Sequence, residues 1–524
     1  MGGEPSAFCP RRVGSPTPRL INALRRPPET TQDVPVTSTA LDPARPDVAG
    51  KARGVAVLVL FMATFMDLLD TTIVNVALPS IQRDLGASPS QLEWIVSGYV
   101  LAFAVVLITT GRLGDLLGRK RIFLAGVAGF TVASAAAGLA PNADTLVAAR
   151  LVQGLFAATM VPQVLSIIQV LFAPRERAGV LGAYGAITGS AAVAGPLLGG
   201  VLTTYDVFGL EWRSIFVINI PVGLLLLVLG ARVIPESRAE RRVRLDLRGV
   251  AASSLGLFLI VFALIEGRPQ GWPWWIWTML AAGVVVLGGF VALQQQTTRA
   301  GGDPLVPLRL FADRGYAAGA LTSFAFFGSI GAMFFGLVLY LQLGLGFSPI
   351  RAAMATLPFS IGAFLASGAS VPLVTRLGKG LVAAGLVGFT ASIAWLAQSV
   401  SHHGDTLGAL DIAGPMFLGG LGLAFAAVPL LDVALATVPV EDAGAASGVF
   451  GTVQQVGAAI LLAIVGVVFF GTADGVPTPS LLREALLNGL WVPGIALGVA
   501  AVVSLGLPGV EAVRRHKEQD AAEV

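Results

Sequence analysis

Apolar runs of about 20 residues recur fourteen times between Gly54 and Leu507. At a rise of about 1.5 Å per residue, a helix of that length crosses a hydrocarbon layer about 30 Å thick. Runs bounded by Arg, Pro and Gly clusters predict spans near 54–78, 91–111, 121–140, 144–172, 178–204, 213–232, 247–266, 274–294, 316–341, 351–374, 380–400, 409–433, 443–471 and 486–510. Only 12% of the 524 residues are charged, against about 25% in an ordinary soluble domain. No single water-soluble core buries so much apolar surface, so lipid is the expected solvent. The fold class implied is an all-α membrane protein, because a barrel strand needs only about 10 residues and alternates polar with apolar.

Lys and Arg collect on the cytoplasmic side of membrane proteins, so their distribution predicts orientation. With the N-terminus inside, 28 of the 34 Lys and Arg fall on inner segments. Arg83, Arg213, Arg268, Arg351 and Arg483 fall on outer loops, and Arg150 falls within a span. Both termini are therefore expected in the cytoplasm of a bacterial cell, with the chain multi-pass in the inner membrane. Topology accounts for the basic excess, and a nucleic-acid partner loses its support. The proline- and arginine-rich leader reads as a disordered tail over 1–53, and 511–524 as a second cytoplasmic tail.

The lone cysteine, Cys9, excludes an internal disulfide, and a cysteine-based metal site is not expected. His402 and His403 are adjacent in a polar loop, where solvation is the simpler reading than a metal or pH site. Trp272, Trp274, Trp275 and Trp277 crowd the outer end of the eighth span, as an interfacial anchor or an aromatic cradle for cargo.

The chain also echoes itself. Pro174, Glu176, Ala178 and Gly179 after the fourth span reappear as Pro439, Glu441, Ala443 and Gly444 after the twelfth, 265 residues on. This offset maps the first six spans onto the last six, leaving the seventh and eighth as an insert. An insert of two helices keeps both halves in one orientation, as a parallel repeat about the membrane normal requires. The expected units are a six-helix bundle over 54–232, a two-helix insert over 233–315 and a second six-helix bundle over 316–510, with a cavity between the bundles.

Charge inside a span costs at least about 2.5 to 3.5 kcal/mol, so each such residue needs a reason. Asp67, Asp70, Arg150 and Asp432 lie within spans, with Glu266 and Asp411 near outer ends. Asp67 and Asp70 are three apart and share a helix face with Thr64 and Thr71. Close carboxylates in a low dielectric resist ionising together, which suits proton uptake. Arg150 cannot be neutralised, so a carboxylate or polar network is expected beside it, with Gln153 and Gly154 on roughly the same side.

Gly111, Arg112, Gly114, Asp115, Gly118, Arg119, Lys120 and Arg121 join the second and third spans on the inside, where the glycines permit a tight turn and Arg119 can hold an acid. Gly185, Gly189, Gly195, Pro196, Gly199 and Gly200 suit close packing and a kink in the fifth span. Phe324, Phe327, Phe334 and Phe335 are expected on one face of the ninth, against lipid or a neighbour, or lining an apolar substrate cavity.

Taken together, these motifs resemble the major facilitator superfamily, in particular its fourteen-helix drug:proton antiporters. The run Leu69-Asp70-Thr71-Thr72-Ile73-Val74-Asn75-Val76-Ala77-Leu78-Pro79 is similar to that group's opening; Gly111 to Arg121 resembles the cytoplasmic gating motif; Arg150 to Gly154 resembles the proton-linked fourth-helix motif; Gly195 to Gly200 resembles the antiporter motif; and Trp212 to Gly223 is a further group hallmark. Gly114 stands where a small residue such as Ala is usual, and Asp67 falls outside the pattern. The resemblance implies two rocking bundles and alternating access, with Asp70 and Arg150 near the coupling site; Asp67 joins the expected coupling set only through its place beside Asp70 on the same helix face. It also implies an inner gate in which Asp115 faces the start of the thirteenth span. Asn75, Gln153, Phe324, Phe327 and Asp432 are the expected cavity residues.

The expected activity is proton-coupled export of small, amphipathic or cationic drugs or secondary metabolites by a monomer that is not an enzyme. It needs no cofactor, since no phosphate-binding Gly-Lys-Ser or Gly-Lys-Thr loop occurs. A dedicated exporter of one amino acid, peptide or siderophore is the alternative on the same fold, and a membrane-embedded sensor is the alternative from another class.

Overall fold

The computed structural model describes residues 1–3, 50–172, 174–206, 209–238, 246–438, 443–473 and 478–509. The leader between residues 4 and 49, the tail beyond residue 509 and residues 439–442 of the second Pro-x-Glu-x-Ala-Gly copy lie outside these residues. Contacts divide the chain into Met1–Arg45 and Pro46–Val524, and the second unit holds every described helix.

Among the described residues every regular element is helical. The first six crossings are α1 (Gly50–Leu85), α2 (Pro89–Leu117), α3 (Arg119–Gly138), α4 (Ala143–Leu171), α5 (Pro174–Thr204) and the pair α6 (Ser214–Val217) and α7 (Asn219–Val233). Two more come next as α8 (Leu247–Gly267) and α9 (Trp274–Arg299). The last six are α10 (Arg314–Leu339), α11 (Pro349–Leu377), α12 (Lys379–His403), α13 (Ala413–Leu435), α14 (Ala443–Thr472) and α15 (Pro479–Val503). Thirteen crossings, α6 and α7 counting as one, are long and apolar enough to span a membrane over their described residues, and α5 contributes the apolar stretch Ala194–Thr204. The chain is a multi-pass membrane protein.

The packing of the first six crossings recurs in the last six. In the first set α1 packs on α5 and α7, α2 on α4, and α3 on α4 and α7. In the second, α10 packs on α14 and α15, α11 on α13, and α12 on α13 and α15. Two seams join the sets, α5 against α11 and α2 against α14, and these correspond under the same repeat. The inserted α8 lies across the second seam, where Leu257, Val261 and Ile265 pack with Trp94 and Leu101 of α2 and Ala459 and Ala463 of α14. α9 packs mainly on α8 and leaves Trp274, Trp277, Val284 and Val285 exposed.

Several boundaries differ from the sequence expectation for local reasons. α1 begins at Gly50, inside the expected tail. α2 continues to Leu117, so Gly111, Arg112, Gly114 and Asp115 ride on its last two turns, and Gly118 alone makes the link to α3. Its φ of 116° is a conformation that side chains with a Cβ resist. The sixth crossing is broken at Ile218 because Pro221, three residues on, has no N–H to return to Val217.

Phe335 is not part of the phenylalanine stripe on α10: it is buried against Phe470, whereas Phe324, Phe327 and Phe334 are half-buried on a shared face. Seven residues of helix separate Phe327 from Phe334, about 20° short of two turns, and Phe335 falls about 100° from Phe334.

The two ends of the helical unit differ in charge. The basic face carries the start of α1, Arg112, Arg119 to Arg121, Arg376 and Lys379, and the opposite face carries the end of α1 and the start of α2.

Candidate functional site

Asp70 is the centre of a polar network sealed inside the first bundle. Its side chain is 0% exposed and that of Arg150 is 1% exposed, with Arg150 Nη1 at 2.5 Å from Asp70 Oδ2. The other oxygen, Oδ1, accepts from Gln153 Nε2 at 2.8 Å and from Asn219 Nδ2 at 2.9 Å. Both amides also donate to Ser134 Oγ on α3, at 2.8 and 3.3 Å. Arg150 donates further to Gln153 Oε1 at 2.6 Å and, through Nε, to the Ile95 carbonyl of α2 at 3.1 Å. Its guanidinium stacks 4.1 Å from the Tyr99 ring centroid. A buried ion pair repays its desolvation only when the remaining lone pairs and N–H groups find partners, and here α1, α2, α3, α4 and α7 each supply some.

Asp67 faces α2, where Tyr99 Oη donates to its Oδ1 at 2.6 Å. The two acids on α1 thus do not share a hydrogen bond, and Tyr99 links them: its hydroxyl holds Asp67 while its face covers the cation paired with Asp70. Thr64 and Thr71 turn back to the Leu60 and Leu68 carbonyls of their own helix, and Thr64 also shares a side-chain hydrogen bond with Tyr184 of α5.

Close helix approach makes this arrangement possible. Gly154, one residue after Gln153, lies against the Tyr99 carbonyl so closely that a Cβ would collide with it. Gly195 and Gly199 press α5 onto Thr72 and Ile73, immediately after Asp70, and a Cβ on Gly199 would come 2.8 Å from Ile73 Cγ1. Gly200 faces the other bundle, where a Cβ would come 2.8 Å from Ile350 Cα of α11. Pro196 is half-buried among these glycines, so one short motif touches both the charged helix and the seam between bundles.

At the basic face, Asp115 accepts from Arg119 Nε and Nη2 at 3.0 and 2.8 Å. The start of the thirteenth crossing, expected to face Asp115, begins at residue 443, and the residues leading into it, 439–442, lie outside the described residues. Glu236, after α7, accepts from the Lys120 amide at 3.1 Å and pairs with Arg121 at 3.5 Å, filling the space a Cβ on Gly118 would need. Lys120 Nζ reaches the Ala231 carbonyl at 2.7 Å. Gly114 leaves room for the Gln163 side chain, while Gly111 meets Pro162 at ordinary distance. Arg112 donates to the Asp303, Pro304 and Leu305 carbonyls, tying the segment before α10 to the end of α2.

At the opposite face, Trp212 is buried and donates through Nε1 to Asp84 at 2.9 Å, and Arg213 pairs with the same carboxylate at 2.6 Å. This clamp fixes the end of α1 to the start of the sixth crossing, and it gives the Trp-Arg pair a mechanical role. The bundles also meet here, where Gln342 Nε2 donates to the Val76 carbonyl at 2.8 Å and the Ile350 amide donates to Thr204 Oγ1 at 3.2 Å.

Of the expected cavity residues, Gln153 belongs to the sealed network. Asn75 is half-buried and donates to the Thr71 carbonyl at 3.2 Å, and its Oδ1 is buried without a hydrogen-bond partner. Phe324 and Phe327 are half-buried, and Asp432 is exposed three residues before the end of α13. Asn219, Ser134 and Tyr99 carry no charge, so charge within spans does not point to them. Asn219 sits inside the Trp212 to Gly223 hallmark, where a polar side chain in the first turn of an otherwise apolar helix is the available signal. His403 Nε2 lies 3.6 Å from Asp411 Oδ1.

Comparison with known proteins agrees with this architecture. The family model described as Major Facilitator Superfamily matches residues 60–462. The chain is 40% identical over 432 residues to the "Probable actinorhodin transporter" of Streptomyces coelicolor, covering 82% of this chain and 74% of that protein. It is 35% identical over 489 residues to a puromycin resistance protein of Streptomyces alboniger, covering 90% and 93%. It is 36% identical over 415 residues to the tetracenomycin C resistance and export protein of Streptomyces glaucescens, covering 78% and 74%. Among solved structures, a bacterial homologue of the human lysosomal transporter Spinster superposes with a TM-score of 0.59 at 18% identity, covering 90% of this chain and 99% of that one. With its repeated six-helix packing, its buried Asp70–Arg150 network and a family match that runs through most of both bundles, the chain belongs to the Major Facilitator Superfamily.

Proposed function

We propose that this protein is a proton-coupled antiporter that exports small, amphipathic or cationic drugs or secondary metabolites across the bacterial cell membrane by alternating access. The observation that carries this reading is Asp70, a carboxylate with no exposure whose charge is balanced by Arg150 and by the amides of Gln153 and Asn219. In so dry a site, withdrawing Arg150 would leave the carboxylate without its counter-charge. Proton binding and helix movement are therefore coupled through one ion pair. The names of the relatives, which speak of actinorhodin transport, puromycin resistance and tetracenomycin C export, support aromatic secondary metabolites as cargo.

In this reading the basic face is cytoplasmic, in accord with the excess of Lys and Arg there. Asp67, through Tyr99, is a second member of the coupling set. Asn75, Phe324 and Phe327 contact cargo between the bundles, supported by the unpartnered Asn75 Oδ1 and the half-buried aromatic stripe on α10. Asp432, near the basic end of α13, meets cargo at the cavity mouth. The protein works as a monomer, without a cofactor and without covalent chemistry. A proton moving down about 100 mV releases about 2.3 kcal/mol, enough for a nearly fiftyfold gradient of a neutral solute exchanged one for one.

The test is uptake of puromycin into inverted membrane vesicles, with and without a protonophore. Uptake that collapses with the protonophore, and is lost in Asp70→Asn at equal expression, is expected. Uptake indifferent to the protonophore would sink the proposal.

A further inference from the structure

Glu93 is a third buried acid beside Asp67 and Asp70, and the Asp70 network does not include it. It lies in the second turn of α2, 3% exposed, and its Oε2 is buried without a hydrogen-bond partner. The carboxyl fills the space left by the missing side chain of Gly466 on α14, so closely that a Cβ there would collide with all three carboxyl atoms. An acid from one bundle is thus pressed against bare backbone of the other, at the end of the seam that belongs to the opposite face.

The charges that reach it oppose one another, Arg268 favouring an ionised carboxylate and Glu266 disfavouring it, and neither hydrogen-bonds to the unpartnered Oε2. α14 carries no charged residue over its whole length. From α8, Glu266 and Arg268 face Glu93; Glu266 accepts from Trp94 Nε1 at 2.9 Å, and Arg268 is half-buried in the turn after the helix. From α4, Asp144 is held by Gln91 at 2.6 Å and Arg150 by Asp70. From α1, Asp67 is held by Tyr99, Arg83 by Ser80 and the Pro79 carbonyl, and Asp84 by Trp212 and Arg213. The cations of α3 sit at the basic face.

An ionised carboxylate buried with an unpaired oxygen is strongly disfavoured, whereas a neutral acid tolerates the same place. Parting of the bundles at this face would open the Glu93 carboxyl to water, where an acid of this kind ionises. We infer that Glu93 is a further proton-binding site, separate from Asp70 and Asp67, at the seam between α2 and α14, and that its protonation from the opposite face is what permits the seam to close there. The inference rests on the proton-antiport reading and adds a gate to it. Protons entering from outside would then drive the return to the state open towards the cytoplasm, the step after cargo release. Glu93 lies two residues from Ile95, whose carbonyl holds Arg150, so the gate and the Asp70 network share one turn of α2.

The seam can be observed without knowing the cargo. In a Cys9→Ser background, Leu139→Cys and Leu410→Cys place spin labels at exposed positions on the opposite face of the two bundles. Their distance distribution is measured by pulsed electron resonance in lipid nanodiscs between about pH 5 and about pH 9. The parent protein is expected to pass from short to long distances as the pH rises. Glu93→Gln, neutral at every pH, is expected to keep the short distance throughout, and Glu93→Asp is expected to restore a transition. A Glu93→Gln protein that folds, elutes as a single species and keeps the parent's transition midpoint overturns the inference while leaving the Asp70 reading intact. A parent protein with no transition, and no difference in Asp70→Asn, overturns both.

Discussion

Arg150 and Asp70 meet at 2.5 Å with neither side chain more than 1% exposed, on helices separated by 80 residues of chain. Each is therefore the condition for burying the other. Removing one leaves an uncompensated charge in a dry core, which costs about 3 to 5 kcal/mol, whereas removing both costs much less. Arg150→Met is expected to lower the thermal unfolding temperature in detergent well below that of the parent, and Arg150→Met with Asp70→Asn is expected to recover most of the loss. Equal melting of the single and double variants would show that the pair is not coupled. Both proteins are expected to lose protonophore-sensitive efflux.

Tyr99 holds Asp67 with its hydroxyl and shields Arg150 with its ring. Tyr99→Phe keeps the ring and removes the donor, leaving a buried carboxylate oxygen unsatisfied at a cost of about 1 to 3 kcal/mol. If Asp67 is part of the coupling set, the pH profile of efflux in vesicles shifts in Tyr99→Phe and shifts again in Asp67→Asn. Superimposable profiles of all three proteins would exclude Asp67 and Tyr99 from coupling.

Gly200 touches α11 backbone across the seam, while Gly195 touches α1 within the bundle. Gly200→Val forces α5 from α11 without disturbing Asp70, so transport is expected to fall by tenfold or more, about 1.4 kcal/mol or beyond, with little change in melting temperature. Gly195→Val drives a side chain into Thr72 and is expected to lower both. The contrast between the two variants, read by efflux and by melting, separates the seam from the network.

Gly118 has a φ of 116° and lies against the Glu236 carboxylate. Gly118→Ala adds backbone strain of about 1 to 3 kcal/mol and pushes Glu236 away from Lys120 and Arg121. Lower expression and a lower melting temperature are expected, with Gly111→Ala as the benign control, because a Cβ at Gly111 meets Pro162 at an ordinary 3.9 Å.

Membrane residence, the all-helical fold and the need for a buried partner beside Arg150 were legible in the sequence alone. Each depends on a local cost, since apolar length and charge in hydrocarbon are properties of a segment whatever it packs against. The repeated Pro-x-Glu-x-Ala-Gly segment likewise anticipated the recurring helix packing, because an offset in sequence carries over to order along the chain.

What only the tertiary structure decided is which neighbour stands on each helix face. Periodicity places Asp67 and Asp70 on one side of α1, yet one meets α2 and the other meets α3, α4 and α7. The same periodicity cannot tell that Gln153 completes the ion pair and does not line a cavity, that Asn219 and Ser134 belong with it, or that Phe335 turns away from its stripe. Nor does it place Glu93 against Gly466, 373 residues further along the chain. Those partners come from distant helices, and their meeting depends on which glycines let two backbones approach, a relation between segments that no single segment encodes.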